Sequence, residues 1–202
     1  MPKPNGPRGI LRLLRRFARD RRGLSAVEFA FVFPVMAALY LGGTALTEGI
    51  VIKRKVTLTT RTLGDLTSQY SCISDDQMNT IFMAAGAVLQ PYPLGTTSFT
   101  ISSLNIDKDG NATVEWSDKE VHGGTRETGR QTGQSITLPS GFWDESMTTA
   151  THLIMAEGTY NYNPVVGGNY TGPMALSETF YLRARRLSTT QQITRQTGTC
   201  SS

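Results

Sequence analysis

Glu28 heads an uncharged run from Phe29 to Thr47. An ionised carboxylate there is costly in lipid unless a cation meets it. Before it, Arg21-Arg22-Gly23-Leu24-Ser25-Ala26-Val27 ends a basic cluster in glycine and sets the acid five positions after that glycine. The remaining reactive side chains form no catalytic pattern. Ser140 lies in Leu138-Pro139-Ser140-Gly141-Phe142, not in a G-x-S-x-G elbow. His122 and His152 lack the spacing of a zinc helix or a triad, so structural roles are expected. Asp107-Lys108-Asp109-Gly110-Asn111 begins like a calcium loop. An EF-hand needs glycine sixth and glutamate twelfth, whereas Gly110 is fourth and Asp118 twelfth, so a hairpin turn is expected. Glu157 reads as an edge or loop-facing acid. Tyr160 and Tyr162 share a strand face, as a packing ladder or a carbohydrate platform. No metal, cofactor or catalytic residue is expected.

The charge map explains what positions Glu28. Residues 1–23 carry eight basic side chains and one acid, a charge of +7. The other 179 residues carry 12 basic and 15 acidic side chains, −3. The pI of about 9.2 therefore comes from a short leader rather than a basic folded face, which argues against nucleic-acid binding. A basic block ahead of an apolar run orients a membrane segment with its N-terminus in the cytoplasm. Lys53-Arg54-Lys55 after the run opposes this with a smaller cluster. Nineteen helical residues span roughly 28 Å, close to a hydrocarbon core of about 30 Å. The competing reading is a secretory signal peptide cut near Gly42, Gly43 or Ala45. Such a peptide has no use for Glu28.

The segment from Arg21 to Ala30 resembles the processing site of type IV pilin-like proteins. More closely, it resembles the TadE/TadG-like minor pseudopilins of tight-adherence (Flp-type) pili. The resemblance implies that a prepilin peptidase cuts the Gly23–Leu24 bond on the cytoplasmic side. Leu24 then becomes the first residue, Glu28 the fifth and Phe29 the sixth. The new Leu24 amine lies about one helical turn from Glu28 of its own chain, a poor partner, but it is available to Glu28 of an adjacent subunit. Ser25 is a candidate N-cap for a helix starting at the cut, with Glu28 three residues on as in a capping box. Glu28 as a favourable charge at a helix N-terminus is the simpler alternative. The resemblance extends to about residue 187. It includes Val114-Glu115-Trp116-Ser117 after an Asp-Gly turn, and Glu157 followed by Tyr160-Asn161-Tyr162-Asn163-Pro164. Arg183, Arg185 and Arg186 match less well, because Ala184 stands where some relatives have proline.

The expected fold is α+β and pilin-like: a long N-terminal membrane-spanning helix, then a small helix and an antiparallel β-sheet. The expected divisions are a basic leader (1–23), a transmembrane helix with an amphipathic stem (24–71) and a periplasmic α+β domain (72–202). The helix is expected to reach about Tyr70, although the β-branched run at 56–60 is weakly helical. Ser74-Asp75-Asp76-Gln77 opens the second helix, and Gln90-Pro91-Tyr92-Pro93 ends it. Residues 99–106 and 111–117 form a hairpin with Ala112, Val114 and Trp116 inward and Thr113 and Glu115 outward. Residues 119–141 and 163–175 read as loops. Strands are expected over 152–162 and 179–186. Cys72 and Cys200 both fall outside the cytoplasm in this topology, where pairing is favoured; two free thiols are the alternative.

The reading is a structural subunit of the inner membrane, single-pass, with a periplasmic domain that is incorporated into or supports a cell-surface pilus. Its implied partners are the prepilin peptidase, other pilin-like subunits, the inner-membrane assembly platform and membrane lipid, with no nucleic acid. The alternative is a membrane-anchored adhesin whose Thr-rich sheet and Tyr160/Tyr162 face contact glycan or a surface.

Overall fold

A computed structural model describes residues 22–142, 150–164, 172–187 and 191–200; the side chains of residues 22–24 lie outside that description. Most of the basic leader and Gly167-Gly168 of the expected 163–175 loop also lie outside it. The chain is α+β, with a long apolar N-terminal helix and an antiparallel sheet. It divides into two compact units, one ending at Leu46 and the other starting at Thr47.

Helix α1 (Arg22–Thr67) runs through Pro34 without a break in assignment. A proline there leaves one carbonyl a turn back without its usual donor, which membrane helices tolerate. The helix starts before Ser25, so Ser25 is not its cap: in the uncut chain the preceding peptide groups extend the helix. It ends three residues short of the expected Tyr70. Within the second unit, Ile52, Val56, Thr59, Thr60, Leu63 and Thr67 form a buried stripe at helical spacing. The β-branched run stays helical because Val56, Thr59 and Thr60 are fully buried in the second unit, and packing outweighs their weak propensity. Thr60 Oγ1 donates to the Val56 carbonyl at 2.8 Å and Thr67 Oγ1 to the Leu63 carbonyl at 2.8 Å.

Helix α2 (Asp75–Leu89) begins with the expected capping box. The Gln77 amide donates to Ser74 Oγ at 3.3 Å, and the Ser74 amide to Gln77 Oε1 at 2.9 Å. It buries Met78, Ile81, Phe82, Ala85 and Leu89.

A six-stranded antiparallel sheet follows. Its strands are β2 (Thr97–Ile106), β3 (Ala112–Val121), β4 (Thr125–Thr128), β5 (Ser135–Ile136), β6 (Thr151–Tyr162) and β7 (Met174–Leu182), in the order β4-β3-β2-β6-β7, with β5 also paired to β3. Residues 119–141 are therefore not one loop. The strand continues to Val121 and turns at His122-Gly123-Gly124, where His122 and both glycines take positive φ, to form β4. The last long strand runs over 174–182 rather than 179–186. At its end the Arg185 amide donates to the Ser68 carbonyl at 2.8 Å, turning the chain toward the end of α1.

Alternation along β2 and β6 sends side chains to both faces of the sheet. Phe99, Ile101, Ile154, Tyr160 and Tyr162 join α1 and α2 in the main core. Leu104, Ile106, Ala112, Val114, Leu153 and Met155 form a second cluster, covered by Ile136, Leu138, Phe142 and Tyr181. Helix and sheet approach closely at two glycines. A Cβ on Gly158 would lie 2.1 Å from Thr60 Oγ1, and one on Gly64 2.4 Å from Leu182 Cδ1.

Candidate functional site

The first unit contributes an apolar helix whose described side chains are largely exposed. Val27, Phe29, Phe31, Phe33, Leu39, Tyr40 and Leu46 are each more than half exposed, and with Leu41 at 40% they leave no side of the axis without an exposed apolar side chain. Phe29 and Phe33 stack one turn apart, their centroids 5.5 Å from each other. The helix is long and apolar enough to cross a membrane, with a mean hydropathy of 1.8 in its most apolar window. That makes it a candidate membrane anchor or signal sequence. A helix apolar on all sides needs a non-aqueous surrounding or protein neighbours. Glu28 is exposed at its head. Gly23 and Leu24 lie on the helical backbone of its first turn.

The two lysines that follow the apolar run are used inside the second unit. Lys53 Nζ pairs with Glu178 at 2.7 Å and donates to the Ser177 carbonyl at 2.6 Å. Lys55 Nζ donates to the carbonyls of Gln90 at 2.5 Å and Val88 at 3.2 Å, capping the C-terminal end of α2. Sequence reasoning counted both as charges competing over membrane orientation and missed these partners; pairing them required the fold.

The C-terminal tail is a strap. Cys72 and Cys200 are disulfide-bonded. Beside them β1 (Cys72–Ile73) pairs in parallel with β8 (Thr194–Arg195). Ile193 is buried in the main core, and Trp116 Nε1 donates to its carbonyl at 2.7 Å. Arg195 donates to Asp118 Oδ2 at 2.6 Å and pairs with Asp75. Burial opposes its charge, but the hydrogen bonds with Asp118 and Asp75 outweigh it and hold the guanidinium above its ordinary value. Arg126 also pairs with Asp118, bonds Asn79 Oδ1 at 2.8 Å and lies 5.1 Å over the Phe82 ring. The Thr/Gln-rich composition of the tail hid this role. Cys200 was its one usable signal, since pairing with Cys72 brings the tail to the start of α2.

Most of the side chains screened for chemistry are held by structural partners. Glu115 does not point outward. The register slips between Ser103 and Leu104, so that Trp116 pairs with Ser103 and Val114 with Leu104. The extra residue, Glu115, turns inward, where Ser103 Oγ donates to its Oε2 at 2.7 Å and His152 Nδ1 lies 3.0 Å from its Oε1. Trp116 thereby joins the main core, on the opposite face from Ala112 and Val114. The glutamate stands between serine and imidazole, so the Ser103 hydroxyl meets a carboxylate rather than the ring. His122 Nδ1 lies 2.6 Å from the Gly95 carbonyl, and Ser140 is exposed. Asp107 accepts from the amides of Asp109 and Asn111 and from Asn111 Nδ2, which holds its carboxyl below the ordinary value and closes the hairpin turn.

Glu157 lies within the sheet rather than at its edge, and Arg130 grips it through Nε at 3.0 Å and Nη2 at 2.6 Å. The two line a polar cleft of about 690 Å³ with Ser98, Thr100, Lys119 and Thr159. Lys119 is paired with Glu127 at 2.8 Å. Tyr160 and Tyr162 are 5% and 4% exposed, which settles them as packing residues and removes the carbohydrate platform. Among the described residues there is no group of three His, Cys, Asp or Glu side chains placed to hold a metal ion. Compared with known proteins, the chain matches no family model, no curated protein and no solved structure.

Proposed function

We propose that this chain is a TadE/TadG-like minor pseudopilin, a structural subunit for assembly of a tight-adherence pilus. The observation that carries the reading is the uncovered apolar sleeve of α1, with Glu28 as the one charged residue between Arg22 and Thr47. The chain inserts with its N-terminus in the cytoplasm, and a prepilin peptidase cuts between Gly23 and Leu24. Its helix then packs laterally against other subunits in the membrane, Glu28 meeting the Leu24 amine of a neighbour. In a low-dielectric surrounding, an acid without a cation is strongly disfavoured, so this pairing fixes the axial register of adjacent helices. Lys53 and Lys55 support the orientation, because the second unit uses both as internal clamps. With Tyr160 and Tyr162 buried, the adhesin reading keeps only the Thr-rich sheet as its contact surface.

The test is Glu28→Gln, scored for pilus assembly and for the oxidised Cys72–Cys200 pair as a mark of the folded domain. The reading expects assembly to fail while the disulfide still forms. Normal assembly by this variant overturns it.

A further inference from the structure

We propose that Asn111 is an acceptor for N-linked glycosylation. Asn111-Ala112-Thr113 has the acceptor pattern, an asparagine followed two residues later by threonine with no proline between. The inference deepens the proposed function, because it needs the second unit to lie on the export side of the membrane. The fold places Asn111, which is exposed, at the tip of the β2–β3 hairpin. Gly110, at φ +84°, turns the chain just before it.

The turn is built to survive the modification. Asn111 Nδ2 donates to Asp107 Oδ2 at 2.9 Å, while Asp107 Oδ1 separately accepts the backbone amides of Asp109 and Asn111 at 2.9 and 2.8 Å. A sugar replaces one of the two amide hydrogens. The other is left as a donor, and the backbone bonds that close the turn do not involve the side-chain amide.

The co-reactant is an oligosaccharide linked to a lipid pyrophosphate, presented by a transferase of the export compartment. The Asn111 amide nitrogen forms a bond to the sugar C1 and gives up one proton to a base of the transferase. The bond from C1 to the pyrophosphate oxygen breaks, and the lipid pyrophosphate leaves with that electron pair. Geometry also fixes the order of events. Ala112 is 2% exposed, and Thr113 pairs with Asn105 on one side and Ser135 on the other. A transferase must read the threonine hydroxyl in an open chain, so transfer precedes closure of β3 between β2 and β5.

The experiment is peptide mass spectrometry of the full chain extracted from the cells that make it, with thiol alkylation on the same sample. The expected result is a glycan mass on the Asn111 peptide. It is absent in Asn111→Gln and Thr113→Val, and retained in Thr113→Ser. A second pattern, Asn169-Tyr170-Thr171, lies outside the described residues and serves as an internal comparison. An unmodified Asn111 in chains with Cys72 and Cys200 oxidised overturns this proposal alone. An unmodified Asn111 with both thiols free overturns it together with the export of the domain.

Discussion

Gly158→Ala tests how closely α1 lies on the sheet. The added Cβ would sit 2.1 Å from Thr60 Oγ1 and 3.2 Å from Phe99 Cε1. Thr60 is fully buried and its hydroxyl is committed to the Val56 carbonyl, so it yields only by breaking that bond or lifting the helix. Overpacking of this kind costs about 1–3 kcal/mol. Replacing glycine stabilises by about 0.4–1 kcal/mol through the unfolded chain. The net is a loss of about 1–2 kcal/mol, which for a unit of this size lowers Tm by roughly 2–8 °C. The assay is thermal unfolding of the full chain in detergent, followed by near-ultraviolet circular dichroism. A Gly43→Ala control, with nothing within 4 Å of the added atom, should not lower the transition. Combining Gly158→Ala with Thr60→Ala removes the oxygen that clashes, so the double variant should lose less than the sum of the singles. Full additivity, or a Gly158→Ala protein as stable as its parent, refutes the close approach.

Two further outcomes follow from the strap and from the buried acid on β3. Replacing Cys72 and Cys200 together by serine opens a loop set by their separation of 128 residues, a loss of nominally about 5 kcal/mol in the chain-entropy treatment, read as a lower denaturant midpoint. Glu120 is 8% exposed; burial raises its carboxyl above the ordinary 4.5, and Arg126 only partly offsets this. A raised folded value means that the contribution to stability is complete below about pH 4.5 and is lost as pH rises through the folded value. Glu120→Gln should therefore gain on its parent across that rise in unfolding experiments run against pH, and an unchanged difference contradicts the assignment.

What the sequence made legible was local. The Ser74–Gln77 capping box and the Asp107–Asn111 turn need only neighbouring residues, and both form where their side chains require. The apolar run was legible because length and missing charge suffice to mark it. Trp116 was misread because alternation assumes an unbroken register, and the slip beside Ser103 reverses its face; Glu115 was misread because the face opposite Val114 is covered as well. Residues 119–141 were misread because their strands are short and polar, held by pairing to β3 rather than by burial of their own. Thr67 ends α1 before Tyr70, since the chain must bend to carry Cys72 to Thr194. Arg195 was invisible as a clamp because Asp75 and Asp118 reach it only through the fold.

N-terminal sequencing of the chain extracted from membranes tests the central claim most directly. The account predicts a mature start at Leu24, placing Glu28 fifth behind a new amine. A start after Gly43 or Ala45, or a chain that keeps its arginine-rich leader, contradicts it.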